Sequence, residues 1–194
     1  MEPVMMHTWD LAPGEAERLQ RSLSAQVIKT DQLDDVRYVA GVDAACDPKT
    51  DKQLAAVVVL DAHSLQVVET AVAEEQVSFP YMPGLFSFRE LPSIVKALKR
   101  LNTTPDLIVC DGHGIAHPRR FGLACHLGVM FDVPAIGCGK TILTGVAAEP
   151  GKTRGDRVPL VDRDEVIGYA LRTQDNIKPV YVSIGHRNIL AHRL

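Results

Sequence analysis

The sequence has little cysteine, no long apolar run and no excess of positive charge, and each deficit excludes something. Its four cysteines, Cys46, Cys110, Cys125 and Cys138, are widely spaced with no C-x-x-C pair. That removes the usual zinc-site signature and points to a reducing compartment. No stretch reaches the ~20 apolar residues of a membrane span. The first residues carry Glu2 and no uninterrupted apolar core, so no signal peptide is read and the expectation is a soluble cytoplasmic protein. Lys and Arg number 21 against 24 Asp and Glu, a formal net charge of -3. This excludes a protein that coats nucleic acid through a strongly basic surface, though not one with a basic site on an acidic background. Internal repeats and low-complexity tracts are also lacking. What is present, 194 residues with 46% hydrophobic and 23% charged, is enough for one domain over residues 1–194 with a real core.

Hydrophobic patterning gives the order of elements. Leu19, Leu23 and Val27 lie along one stripe after Pro13, predicting an amphipathic helix over residues 14–27. Apolar runs at 37–45, 54–62 and 65–74, the last two joined at His63-Ser64, predict three antiparallel strands. A Pro- and Gly-rich segment, SFPYMPGLFSFRE, follows from Ser78 to Glu90. Leu91, Ile94, Val95, Leu98 and Leu101 then fall at helical spacing. The short strand DLIVCD, a Gly/His loop, a helix near 120–130 and the strand VPAIGCG come next. Their alternation implies crossovers and parallel pairing in the second half. A polar loop at 149–156 precedes EVIGYALRT and KPVYVSIG, read as a closing hairpin. The expected fold class is α/β, a mixed sheet with flanking helices.

Three carboxylates sit where carboxylates are costly or conspicuous. Asp43 interrupts the apolar run YVAGVDAAC, where an unpaired buried charge is penalised. Asp111 ends DLIVCD at the strand edge where open α/β sheets place ligands. Glu90 stands at the entrance of the helix after the Pro/Gly segment. Each has an ordinary reading as an edge residue, a turn former or, for Glu90 with Ser87, a capping box. Pro92 weakens the last, because a helix begun at Ser87 would carry proline past its first turn, so the start is expected nearer Leu91. Converged at one sheet edge, three carboxylates repel unless divalent cations offset them, and oxygen ligands suit Mg²⁺ or Mn²⁺. Arg119, Arg120 and Lys140 near that end suggest a phosphate partner. A P-loop is excluded at Lys140 by Pro134 and at Lys152 by Val146, and no G-x-S-x-G elbow exists for serine chemistry. Gly114 and Pro118 argue against His113 and His117 forming a helical zinc pair.

Taken together, YVAGVDAA, FPYMPGLFSFRE, PDLIVCDGHGIAHPRRFGLACHLG, VPAIGCGKTILTG and KPVYVSIGHR closely resemble the endonuclease V family of DNA repair nucleases. The resemblance runs over residues 10–187. It implies a ribonuclease H-like fold, three antiparallel strands followed by parallel ones with helices. It implies Mg²⁺ on Asp43 and Asp111 with Glu90 completing the acidic site, and Mn²⁺ able to substitute. His186 would lie beside the metal and Lys140 on phosphate. Tyr81, stiffened by Pro80 and Pro83, would be a wedge filling the space of a displaced base. Gly84, Gly112, His117 and Gly122 would line the base pocket, with Arg119 also on the DNA. The implied reaction hydrolyses the second phosphodiester bond 3′ to deoxyinosine, leaving 3′-hydroxyl and 5′-phosphate ends on damaged DNA. The expectation is a monomer that works at the nucleoid. Phe86 replaces a small aliphatic of the family pattern, and Cys138-Gly139 replaces Val-Ala. After Arg187 a family helix is missing, so that NILAHRL ends the chain early. Two alternatives stay open: an inosine-specific endoribonuclease of the same fold, and a lesion-binding module that does not cut.

Overall fold

The computed structural model describes residues 1–33 and 35–188. The shortened C-terminal helix expected from the sequence falls on the last six residues, outside the described ones. The first helix, α1 (Pro13–Ser24), has Pro13 in its first turn and a Glu15 carboxylate accepting the Ala12 backbone N–H at 2.8 Å. It ends three residues short of the predicted limit. Three ten-residue strands follow, β1 (Tyr38–Asp47), β2 (Lys52–Asp61) and β3 (Val67–Gln76), paired antiparallel as the alternating pattern predicts. Next come α2 (Phe86–Leu98), β4 (Leu107–Cys110), α3 (Leu123–Phe131) and β5 (Ala135–Gly139). Strand β4 pairs parallel to β1 and β5 pairs parallel to β4, with α2 and α3 as the crossovers.

The rest of the sheet departs from the expectation of parallel pairing. No helix separates β5 from β6 (Arg157–Asp162), so the chain returns by hairpins through β7 (Glu165–Leu171) and β8 (Val180–His186), and β8 pairs antiparallel to β5. The closing hairpin is present as predicted, but β6 was not foreseen. Its Pro159 reads as a strand breaker, and it is tolerated because β6 is the outermost strand of the order β3-β2-β1-β4-β5-β8-β7-β6. The result is a ribonuclease H-like mixed sheet.

The start of α2 is a second correction. The helix begins at Phe86 and contains Pro92, so Glu90 lies within it rather than at its entrance. An interior proline costs ~3 kcal/mol. Phe88, Leu91, Ile94 and Leu98 are all buried against the sheet and neighbouring aromatics, each contributing about 1.5–3 kcal/mol, so burial outweighs the proline. Ser87 is no cap: its hydroxyl faces the His126 Nδ1 at 3.1 Å.

The core lies between the inner face of β1, β2 and β4 and the two crossover helices. An N-terminal arm closes the other side of α3. The Val4 backbone N–H donates to the Met130 carbonyl at 2.9 Å, and the His7 Nε2 meets the His126 Nε2 at 2.7 Å. His126 is fully buried among Trp9, Phe88 and Phe121, and burial holds it well below the ordinary histidine range. One nitrogen of the His7–His126 pair must donate and the other accept, which neutral rings can do and two imidazolium rings cannot. No helix among the described residues is long and apolar enough to cross a membrane. All four cysteines are free thiols.

Candidate active site

Parallel pairing of β1 with β4 aligns Val42 with Cys110, so Asp43 and Asp111 follow on adjacent strands at the same sheet end. Adjacent strands lie ~4.8 Å apart, which brings the two carboxylates side by side. The Asp111 N–H donates to the Val42 carbonyl at 3.1 Å and fixes this turn. Glu90 reaches the same place from the second turn of α2, with only 6% of its surface exposed. All three line one cavity of about 420 Å³. Burial, then the charges of Asp43 and Asp111, push the Glu90 carboxyl up to about 8.

Lys140 follows the end of β5 and is drawn to Asp111, whose carboxylate its ammonium contacts and whose charge raises the lysine pKa. Among the described residues, no three His, Cys, Asp or Glu side chains are gathered closely enough to enclose an ion. The donor chemistry nevertheless fits a hard divalent cation. The set is all oxygen, its members come from two neighbouring strands and a helix, and a cation there would offset the burial and mutual repulsion that raise the Glu90 pKa.

The far wall of the cavity is the turn before α2. Tyr81 is 68% exposed, with its ring edge-on to Phe86 at 6.1 Å between centroids. Pro80 and Pro83 flank it, both exposed. Gly84 has φ +79°, a conformation that disfavours any side chain, and a Cβ there would lie 2.9 Å from an Arg119 guanidinium nitrogen and force that side chain to shift. Opposite it, Gly122 packs so closely on the His113 carbonyl that a Cβ would sit 2.3 Å away. His117 and Gly112 line the cavity between these walls. The His117 Nε2 donates to the Gly84 carbonyl at 2.9 Å, and its Nδ1 accepts the Arg119 backbone N–H at 3.1 Å, which fixes a neutral tautomer.

Burial pulls the His117 pKa down to about 4. The unfolded chain therefore binds a proton that the folded chain rejects, and stability present above pH 6.5 is lost as pH falls toward 4. Between pH 7.5 and 5, His117 alone should cost about 2 kcal/mol. His7 and His126 act in the same direction. Melting temperatures across that range should fall on the acid side; a flat profile would contradict the neutral assignment.

Three expected contacts are corrected. His186 is not beside the carboxylates. Because β8 runs antiparallel to β5, its last residue pairs with Ala135 at the start of β5, the sheet end opposite Gly139 and Lys140. There its Nδ1 accepts the Ile28 N–H at 3.2 Å and its Nε2 faces Asp132 at 3.4 Å. Arg119 does not offer its guanidinium to phosphate: it is spent on the Gly84 carbonyl, Gln20 and Glu17. Arg120 likewise pairs with Asp162 and Glu165, tying the loop after β4 to the β6–β7 hairpin.

Gln20 escaped sequence reasoning, and His113 was weighed there only as half of a helical zinc pair. Gln20 lies on the buried face of α1 with Ala16 and Leu23, and that polar interruption of an apolar stripe was the available signal. His113 lies over Gly139, where a Cβ would stand 2.2 Å from its Cε1, and its Nδ1 is buried without a hydrogen-bond partner. No sequence pattern marks that contact.

Known proteins resemble this chain in sequence and fold. A family model described as Endonuclease V matches residues 21–193. Endonuclease V of Roseiflexus castenholzii is 52% identical over 187 residues, covering 96% of this chain and 83% of that protein. The crystal structure of endonuclease V from Streptomyces avermitilis superposes with a TM-score of 0.89 at 48% identity, covering 95% of this chain and 82% of that one. Endonuclease V of Ciona intestinalis, solved with a 24mer DNA containing an inosine followed by a ribo-adenosine, gives a TM-score of 0.81 at 27% identity, covering 91% of this chain and 84% of that one.

Proposed function

The chain belongs to the endonuclease V family, and we propose that it is a metal-dependent endonuclease for inosine-containing DNA. The observation that carries this reading is the meeting of Asp43, Glu90 and Asp111 in one cavity whose opposite wall is an exposed tyrosine over a glycine-lined recess.

In this reading Asp43 and Asp111 hold Mg²⁺, with Glu90 completing the set and Mn²⁺ able to replace it. Such an ion supplies Lewis-acid stabilisation of the reacting phosphate and activation of the attacking water. The chain's own groups do the rest. Lys140, whose side chain is 75% exposed and paired with Asp111, would be free to turn its ammonium to the phosphate if a bound cation took over that carboxylate. Tyr81 enters the stack where the lesion leaves it. Unstacking costs a few kcal/mol, least at a mismatched or damaged base. Pro80 and Pro83 limit the backbone freedom of that wedge, which lowers the entropy lost on insertion. The flipped base enters the recess of Gly84, Gly112, His117 and Gly122, where close backbone approach is possible because side chains are absent. The cut falls on the second phosphodiester bond 3′ to the inosine, leaving 3′-hydroxyl and 5′-phosphate ends.

The test is a pair of matched duplexes, one with a single inosine and one with adenine at that position. Nicking of the first at a rate at least tenfold above the second, in Mg²⁺, is the expected outcome, since an undamaged pair resists flipping more. Equal rates on the two would refute lesion recognition. The Ciona oligonucleotide carried a ribonucleotide after its inosine. A matched strand with that ribonucleotide decides whether this chain favours RNA character there.

A further inference from the structure

The two walls of the recess are loops, and no strand ladder joins them. One is the turn at Gly84 before α2; the other runs from Gly112 to Gly122 after β4. His117 and Arg119 of the second loop donate directly to the Gly84 carbonyl of the first, and a side chain from a third element, Gln20 of α1, which is 1% exposed, bonds to both loops. Its Nε2 donates to the Gly84 carbonyl at 3.0 Å and to the Phe121 carbonyl at 3.1 Å. Its Oε1 accepts the Arg119 Nε–H at 2.6 Å. The amide orientation is unambiguous, because a guanidinium can only donate and the two carbonyls can only accept.

Arg119 completes the clamp. Its Nη2 donates to the same Gly84 carbonyl at 2.7 Å, and its Nη1 meets Glu17, one turn before Gln20 on α1, at 3.4 Å. With His117, three donors converge on Gly84 O, an oxygen with two lone pairs. That carbonyl takes donors from both α1 and the second loop, and Gln20 is the one of the three donors that belongs to neither wall.

We propose that Gln20 is a positioning residue that sets the separation of the two walls and thereby the preference for inosine over adenine. This rests on the nuclease reading above. A site that recognises a base through backbone groups discriminates only while those groups stay in register, because rejection comes from polar groups left unpaired by the wrong base. Loosening the clamp should let both bases in with similar, poorer fit.

Gln20→Met keeps the volume and removes all three hydrogen bonds. Gln20→Glu keeps the acceptor for Arg119 and sets a carboxylate against two carbonyl oxygens. Steady-state rates on inosine and adenine duplexes are compared for both variants and for the wild type. The expected result is a KM for inosine DNA raised about tenfold or more, kcat within about twofold, and inosine preference reduced by a similar factor. A variant that melts earlier but keeps the wild-type preference would show that Gln20 only packs, and would overturn the proposal. The two failures are separable. Wild-type protein that leaves inosine DNA uncut refutes the nuclease reading and the proposal with it. Wild-type cutting with an unchanged preference in the variants refutes the proposal alone.

Discussion

Asp43→Asn should lower the cutting rate by about a thousandfold or more while leaving affinity for an inosine duplex within a few fold. The size follows from the chemistry: metal stabilisation of a phosphate transition state is worth several kcal/mol, and each ~1.4 kcal/mol is a decade in rate. The specificity of the effect follows from the structure. Asp43 is exposed, and its hydrogen bond is to its own neighbour, the Ala44 N–H at 2.8 Å, which an asparagine oxygen also accepts. Neither the Tyr81 turn nor the His117 recess depends on it. Single-turnover cutting and a gel shift in Mg²⁺ measure the two quantities. Retained cutting would remove Asp43 from the metal set, and a loss of binding in step with cutting would mean that the carboxylate supports the recess.

Glu90→Gln should abolish cutting and at the same time stabilise the metal-free protein. The folded Glu90 has its pKa raised to about 8 by burial and two neighbouring carboxylates. A group whose folded pKa is raised contributes stability below its unfolded pKa of ~4.3 and loses it as pH rises through the folded value. The wild type therefore carries a penalty that grows from pH 4.5 to above pH 8, and glutamine does not. The advantage of the variant should be near zero at pH 4.5 and on the order of 5 kcal/mol at pH 9, roughly 10–20 °C in Tm. Mg²⁺ should reverse the order, since it stabilises only the protein that binds it. Equal Tm values at pH 9 in EDTA would show that Glu90 is not under electrostatic strain.

Much of this site was legible in the sequence because charge in an apolar strand is locally expensive. Asp43 and Asp111 announce themselves by interrupting VAGV and LIVC, and the structure sets them on neighbouring strands. The Tyr81 turn and the glycines were readable through the family resemblance, and all of them line or flank the cavity. What failed depends on long-range pairing. The direction of β8 decides where His186 lands, and nothing near His186 encodes it. The partners that occupy Arg119 and Arg120, Gln20, Glu17, Asp162 and Glu165, are 42 to 102 residues away along the chain. Pro92 misled in the same manner: it looked like a helix boundary, yet burial of α2 accommodates it.

The net charge of -3 also changes meaning. With Arg119 and Arg120 turned inward, few fixed cations remain at the cavity, so long-range attraction to undamaged DNA should be weak and recognition should rest mainly on the flipped base. The most direct test of the whole account is to map the product of wild-type protein on a duplex with one inosine, end-labelled, in Mg²⁺ and in EDTA. The account predicts one nick in Mg²⁺, at the second phosphodiester bond 3′ to the inosine with a 3′-hydroxyl end, and none in EDTA. Cutting that persists in EDTA, cutting at an unrelated position, or an intact strand in Mg²⁺ would contradict it.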